Sequence, residues 1–522
     1  MTEFRENVPT FLKVSNEVLL AIFGLCRNRD QKQQTDISNL RLTCRRFCSL
    51  CSDYAIRRCA TLDFSRPESV KLFRQVLHNP QIAEHVHELN VRLHFYHSWI
   101  AASLENFITA ICSEWEQRTQ ATYQSIGNTS GRQVTFEYLI QRFVSGIEMH
   151  NDVLNEPSTP CNRHDCEKPT CPKSILHRAY DIYKEKYNAQ KLWHGDGAFS
   201  LKVAEIIHQL PNIRHVTLHD GVLENNYDMG RKFDPISQQD TSAQADMLIQ
   251  VLSRPMLWEE ARWIQPSVLI WPGVPIRLLV DIPLALGAID SLIIDQFSIH
   301  VSAAPDYMAM QMNKNDRDNL SQAIKHLDLL QFTFLPRCRS GCGPWTANDE
   351  DNDTVRTASE MEVLHHYLGT FFNSGCITHA DINLGEFWYS LGLKSMLAAP
   401  TSVGIAFTWP VESSLSSIHL TEISVTASEL GAMAEALRPK SELELFIVHI
   451  KTGLWREALQ NLRQGLRNPQ SVYIRHPSGG EIQSLTDGQI QTVFNVQHTE
   501  EGTKAECYVM GTILENPLAA FG

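Results

Sequence analysis

A short unit of three apolar residues, spaced apolar-x-x-apolar-x-apolar, keeps returning down this chain. It is met at Val86, Leu89 and Val91, at Ile213, Val216 and Leu218, at Ile289, Leu292 and Ile294, and at Ile324, Leu327 and Leu329. It returns at Leu420, Ile423 and Val425 and at Leu443, Phe446 and Val448, and less well at Ile377, Ala380 and Ile382. Residues two apart share one face of a strand, so each unit predicts a short strand with one face to bury. The unit alone selects little: with 43% hydrophobic residues it arises by chance at roughly one position in twelve. Its surroundings add more. Residues 201–210 read as a helix running into Ile213, residues 320–324 run into Leu327, and residues 429–437 read as a helix between the last two units. Helices and strands alternating in this way predict an α/β fold.

The first sixty residues are patterned differently. Val18, Ile22 and Leu25 follow i, i+4, i+7 spacing behind Ser15, a residue suited to cap a helix, and Leu19 and Phe23 widen the apolar stripe. After a polar stretch over 26–34, Thr35 or Asp36 can cap a second helix. There Ile37, Leu40, Cys44, Phe47 and Cys51 share one face, while Leu42 and Leu50 fall on the other. A helix apolar on two faces has to bury both, and a unit this small has one inside, so the second face calls for a partner.

These two runs, Glu17-Val18-Leu19 with Ile22-Phe23, and Leu40-Arg41-Leu42 with Cys44-Arg45-Arg46-Phe47, resemble the F-box, the adaptor-binding motif of SCF-type ubiquitin ligases. Val14-Ser15 stands where that family has Leu-Pro; serine, like proline, is a good helix starter. The resemblance covers residues 10–58. It implies docking on a Skp-family adaptor, and through it on a cullin, by way of Val14, Val18, Leu19, Ile22, Leu40, Leu42 and Phe47. The other reading is that these helices are simply the N-terminal part of an all-helical core.

The returning strand unit resembles the core of a leucine-rich repeat, whose strands line one face of a curved solenoid. The units at Leu420 and Leu443 stand 23 residues apart, inside the span of such repeats, and residues 417–462 are similar to the C-terminal repeats of fungal F-box proteins. Earlier intervals are long and irregular. The architecture expected is therefore an N-terminal helical F-box over 10–58 followed by an irregular leucine-rich-repeat-like α/β solenoid over 60–475. Insertions are placed at about 98–160, 224–243 and 336–357. A C-terminal tail over 476–522 holds a β segment at 492–496. An irregular α/β globule without a true repeat gives the same local patterns.

Composition narrows the function classes. A net charge of −13 argues against a broad electrostatic grip on nucleic acid. The most apolar region, 268–289, is interrupted by Pro272, Pro275, Arg277, Asp281 and Pro283, so no membrane span is expected. The start of the chain lacks a cationic, apolar leader, and 13 cysteines then read as reduced thiols in cytoplasm or nucleus.

One cluster carries metal-type ligands: Cys161, His164, Cys166 and Cys171, set among Pro160, Pro169 and Pro172. Three thiolates and an imidazole suit a structural zinc; otherwise these are free thiols in a surface loop. Cys338 and Cys342 form a poorer pair. His85, His87, His94 and His97 flank a strand without a metalloenzyme spacing and read as satisfied polar side chains. The nucleophile-elbow, phosphate-loop and dinucleotide fingerprints are missing, so no catalysis and no cofactor beyond that zinc are expected. The expectation is a substrate-recognition subunit of an SCF-type E3 ubiquitin ligase, holding an unknown protein target. The alternative is a non-ligase leucine-rich-repeat-like interaction scaffold.

Overall fold

Period-two alternation of apolar and polar residues recurs along the chain, and nearly every instance becomes a parallel strand. The computed structural model describes Ser15, Val18, Leu19 and residues 59–112, 172–193, 197–221, 241–263, 273–289, 292–302, 304–334, 357–385, 414–495 and 502–521. Strand β1 (Cys59–Asp63) is followed by helices α1 (Glu68–Leu77) and α2 (Pro80–Ala83) and by β2 (Glu88–Arg92). Then come α3 (Ser98–Ala102), α4 (Pro172–Lys191), α5 (Ala198–His208), β3 (His215–His219), α6 (Thr241–Leu252), α7 (Leu278–Gly287) and β4 (Gln296–Val301). Helix α8 (Lys314–Ala323) leads to β5 (Leu329–Phe334), and α9 (Ala358–Phe372) to β6 (His379–Asn383) and β7 (Ser417–Thr426). The chain closes with α10 (Ala427–Ala436), β8 (Glu442–Thr452), α11 (Trp455–Gly465), β9 (Ser471–Arg475), β10 (Ser478–Gly479), α12 (Asp487–Phe494) and α13 (Lys504–Val509).

The strands form one sheet in chain order from β1 to β8, with β9 and β10 side by side on the last edge of β8. Every pairing is parallel. Register lines up the core. Ala60, Leu89, Val216, Phe297, Leu330, Ala380, Ile418, Leu443 and Val472 make one rung across nine strands. Leu62, Val91, Leu218, Ile299, Phe332, Ile382, Leu420, Leu445 and Ile474 make the next, and this second rung is entirely buried. Strands added always on the same side, through crossovers of one hand, send their helices to one face. Accordingly α5 packs on α7, α7 on α8 and α8 on α9, and further on α10 packs on α11. The crossing of α10 and α11 depends on Gly465, where a Cβ would stand 2.7 Å from that of Ala434.

Helices α3 and α6, which follow β2 and β3 in the chain, both pack on α4. The Gln190 amide clamps the backbone of Tyr96, accepting from its N–H at 2.8 Å and donating to its carbonyl at 3.2 Å. The ring of Tyr96 meets that of Tyr183 edge-on at 4.9 Å.

These facts correct the expected architecture. The described residues build one continuous parallel sheet with a helical layer, and no repeat of constant length generates it. Strands begin at Cys59, Glu88, His215, Gln296, Leu329, His379, Ser417, Glu442 and Ser471: the first step and the last two fall in the repeat range, and the step into His215 is several times longer. The group of α3, α4 and α6 has no counterpart elsewhere among the described residues. A helical F-box is not seen either, since only Ser15, Val18 and Leu19 of residues 10–58 are described. The units starting at Ile289 and Ile324 were misplaced: β4 and β5 run through Phe297 and Ile299 and through Leu330 and Phe332 instead.

The C-terminal segment belongs to the sheet's last edge. Thr486 caps α12, exchanging hydrogen bonds with Gln489, so residues 492–494 are helical where a β segment was expected. The buried Glu506 of α13 accepts the Ile474 N–H at 2.8 Å and the Thr503 N–H at 2.7 Å, and also pairs with Arg475. Its carboxylate thereby occupies an amide on the outer edge of β9, which is one way to close a sheet edge.

Candidate functional site

Alternation that buries one set of rungs turns the intervening set to the other face of the sheet. The middle polar rung reads Thr61, Asn90, Thr217, Ser298, Gln331, Asp381, His419, Glu444 and Tyr473. The next reads Asp63, Arg92, His219, His300, Thr333, Asn383, Thr421, Phe446 and Arg475. This polar face has two unlike halves.

Over β1–β4 it is closed. Ser298, Thr217, His219 and Asp63 are buried. His215 Nε2 lies 3.1 Å from Ser298 Oγ and 3.2 Å from Thr217 Oγ1, and Ser298 donates to Gln331 Oε1 at 2.9 Å. Asp63 Oδ1 gathers the Ser65 N–H at 2.9 Å, the Ser65 hydroxyl at 2.6 Å and His94 Nε2 at 2.9 Å. Burial works to raise the Asp63 carboxyl, but His94, Ser65 and Arg66 together outweigh it and hold it at about 2. Burial, seconded by neighbouring cations, lowers His219 to about 4; burial and His215 do the same to His300. These imidazoles are neutral at pH 7, and His219 Nδ1 accepts the Gly221 N–H at 3.2 Å.

Over β6–β9 the face is open. Asp381, His419, Glu444 and Tyr473 stand on four adjacent strands, and Tyr473 is 51% exposed. Asp381 is pushed up, first by burial and then by Glu444, with His419 opposing. The Phe446 ring meets the His476 imidazole edge-on at 5.3 Å. Just beyond the Thr421, Phe446 and Arg475 rung, Glu422, Ile447 and His476 all turn to positive φ, at 53°, 54° and 50°. Side chains rarely adopt this conformation, and a β-branched one least of all, so three strained residues lie side by side at this edge of the patch.

Ser417, His419 and Glu444 have the order of a nucleophile, base and orienting acid: Ser417 Oγ is 3.4 Å from His419 Nε2, and His419 Nδ1 is 3.9 Å from Glu444. The second distance is too long for a hydrogen bond. The Ser417 N–H is spent on the Thr378 carbonyl at 3.0 Å, as strand amides are, which leaves it no part in holding an oxyanion. The arrangement suits recognition better than acyl transfer.

Of the residues singled out in the sequence, Val14, Ile22, Leu40, Leu42 and Phe47 lie outside the described residues, as do Cys161, His164, Cys166, Cys171, Cys338 and Cys342. Val18 and Leu19 are helical, and Ser15 holds them: its carbonyl accepts the Leu19 N–H at 3.1 Å and its hydroxyl meets the Val18 N–H at 3.5 Å. Val18 is 51% exposed and Leu19 is fully buried, so of this pair Val18 faces outward. Among the described residues no group of three or more His, Cys, Asp or Glu side chains is set to hold a metal. His87 contacts the Asn212 carbonyl, His94 the Asp63 carboxylate, and His97 caps α3 by accepting the Trp99 N–H at 3.2 Å. Among the described residues no helix is long and apolar enough to cross a membrane.

Sequence reasoning missed the polar rungs. Their signal was present as Ser417-x-His419-x-Thr421, Glu442-x-Glu444-x-Phe446 and Ser471-x-Tyr473-x-Arg475, but the register that joins them is a property of the sheet. No family model matches the chain, those of enzyme families included, and neither the curated proteins nor the solved structures give a match.

Proposed function

We propose that this chain is the substrate-recognition subunit of an SCF-type ubiquitin ligase. Residues 10–58 dock on a Skp-family adaptor and through it on a cullin, and the sheet holds a protein target by its polar face. The observation that carries the reading is the two-faced apolar run at Leu40, Leu42 and Phe47, preceded by helical Val18 and Leu19 hydrogen-bonded to Ser15. The outward-facing Val18 supports it. So does chain order, because β1 begins at Cys59, directly after the adaptor-like segment. Such a subunit works in the cytoplasm or nucleus and carries out no chemistry. It raises the effective concentration of a target lysine at the transfer centre, a gain that comes from positioning alone.

Co-purification of the Skp adaptor with the full-length chain tests this reading. Wild type captures the adaptor, and Val18→Asp, Ile22→Asp and Leu42→Asp each abolish capture. Because Val18 is exposed, its substitution leaves the fold intact. Capture unchanged by all three, or absent in wild type, overturns the ligase reading and leaves an interaction scaffold.

A further inference from the structure

The open half of the polar face has a definite chemical character. On the three outward rungs of β6–β9 stand His379, Asp381 and Asn383, then Ser417, His419 and Thr421, then Glu442, Glu444 and Phe446, then Ser471, Tyr473 and Arg475. Three are carboxylates, and Arg475 is engaged with Glu506 at the sheet edge. Burial disfavours the charge of the Asp381 carboxylate, His419 alone opposes this, and Glu444 adds to it; among the described residues no hydrogen-bond donor reaches that carboxylate. A half-buried anion beside a second anion gains from a cation arriving from outside. Next to these carboxylates Tyr473 and Phe446 offer aromatic rings, which receive ammonium and guanidinium groups and the stems that carry them. Neighbouring strands are about 4.8 Å apart, so Asp381 and Glu444 stand on the order of 10 Å from each other. An extended segment crossing the strands reaches both.

We infer that the face of β6–β9 is a docking surface for an extended, Lys- or Arg-bearing segment of the recognised protein, its cations set against Asp381 and Glu444 and its backbone lying over Tyr473 and Phe446. The inference rests on the recognition role proposed above, and it names the class of target segment.

Fluorescence anisotropy of a labelled octapeptide alternating Lys and Ser, titrated with the full-length chain, tests it beside a Glu-Ser peptide of equal length. The Lys-Ser peptide binds and the Glu-Ser peptide does not. Asp381→Asn with Glu444→Gln weakens binding at least tenfold, and Tyr473→Ala at least threefold, while Glu362→Gln on α9 changes nothing. Failure of the Lys-Ser peptide to bind, equal binding of both peptides, or full binding by the double variant overturns the inference. So does an equal loss with Glu362→Gln, which would reduce the attraction to net charge. The titration contains no adaptor. Peptide binding without adaptor capture therefore removes the ligase reading and keeps this surface, and adaptor capture without peptide binding does the reverse.

Discussion

At the scale of single residues, His219 and His300 tie the closed half of the polar face to pH. Both are held near 4 in the folded chain, below the ordinary value of 6.5, so between those limits the unfolded chain binds more protons. Stability is therefore full above about 6.5 and falls as the solution is acidified towards 4. The cost reaches roughly 3 kcal/mol per fully shifted imidazole. Urea midpoints measured from pH 7 to pH 4 will show this fall, and His219→Gln with His300→Gln will make it shallower, leaving the part that buried His97 contributes in the same way; a wild-type midpoint constant over that range would refute the account. Ile447 makes a second case. Its φ of 54° costs about 1–3 kcal/mol, and replacing it by glycine removes that strain together with a half-buried side chain. Ile447→Gly will stay within about 1 kcal/mol of wild type, whereas Ile474→Ala, at a fully buried rung position, will lose about 2–5 kcal/mol in the same urea assay.

Among the elements, the C-terminal helix α13 has a structural task that its sequence does not advertise. Glu506 to Ala leaves the Ile474 and Thr503 amides and the Arg475 guanidinium without their carboxylate. A loss of about 3–5 kcal/mol and faster aggregation from an uncovered β9 edge are expected, read by urea unfolding and light scattering. How much of this level was legible depends on whether the signal was local. Helix α5 before β3 and the strands at 88–92, 215–219 and 379–383 could be read because the apolar residues themselves mark the buried rungs. The strands β4 and β5 were displaced because Ile289, Leu292, Ile324 and Leu327 fit the same spacing while packing outside the strands. Helix α12 was misread through Val493 and Phe494, although Thr486 and Gln489 already spelled its capping box. The Asp381, His419, Glu444 and Tyr473 row was beyond reach: its members sit on four strands, and only pairing makes them neighbours.

For the whole molecule, chain order and spatial order coincide. Each interior strand pairs with its predecessor and its successor, and one apolar core runs through the helical layer from Leu62 to Leu518. The sequence made the α/β character legible, since helices and strands visibly alternate. It did not reveal that one sheet absorbs connections as unequal as those before His215 and before Glu442, because the length of an insertion says nothing about where its ends return.

That coincidence of orders also decides how the protein yields to a pull. Tension applied at the C-terminus passes the contacts of Ile513, Leu514 and Asn516 with α11 and then the Glu506 latch on β9, and beyond it β10, β9 and the strands before them can leave one at a time toward β1, each departure exposing the next as the new edge. A machine that unravels the chain from that end would face a succession of small resistances instead of one large one, with the strand nearest the N-terminus the last to go.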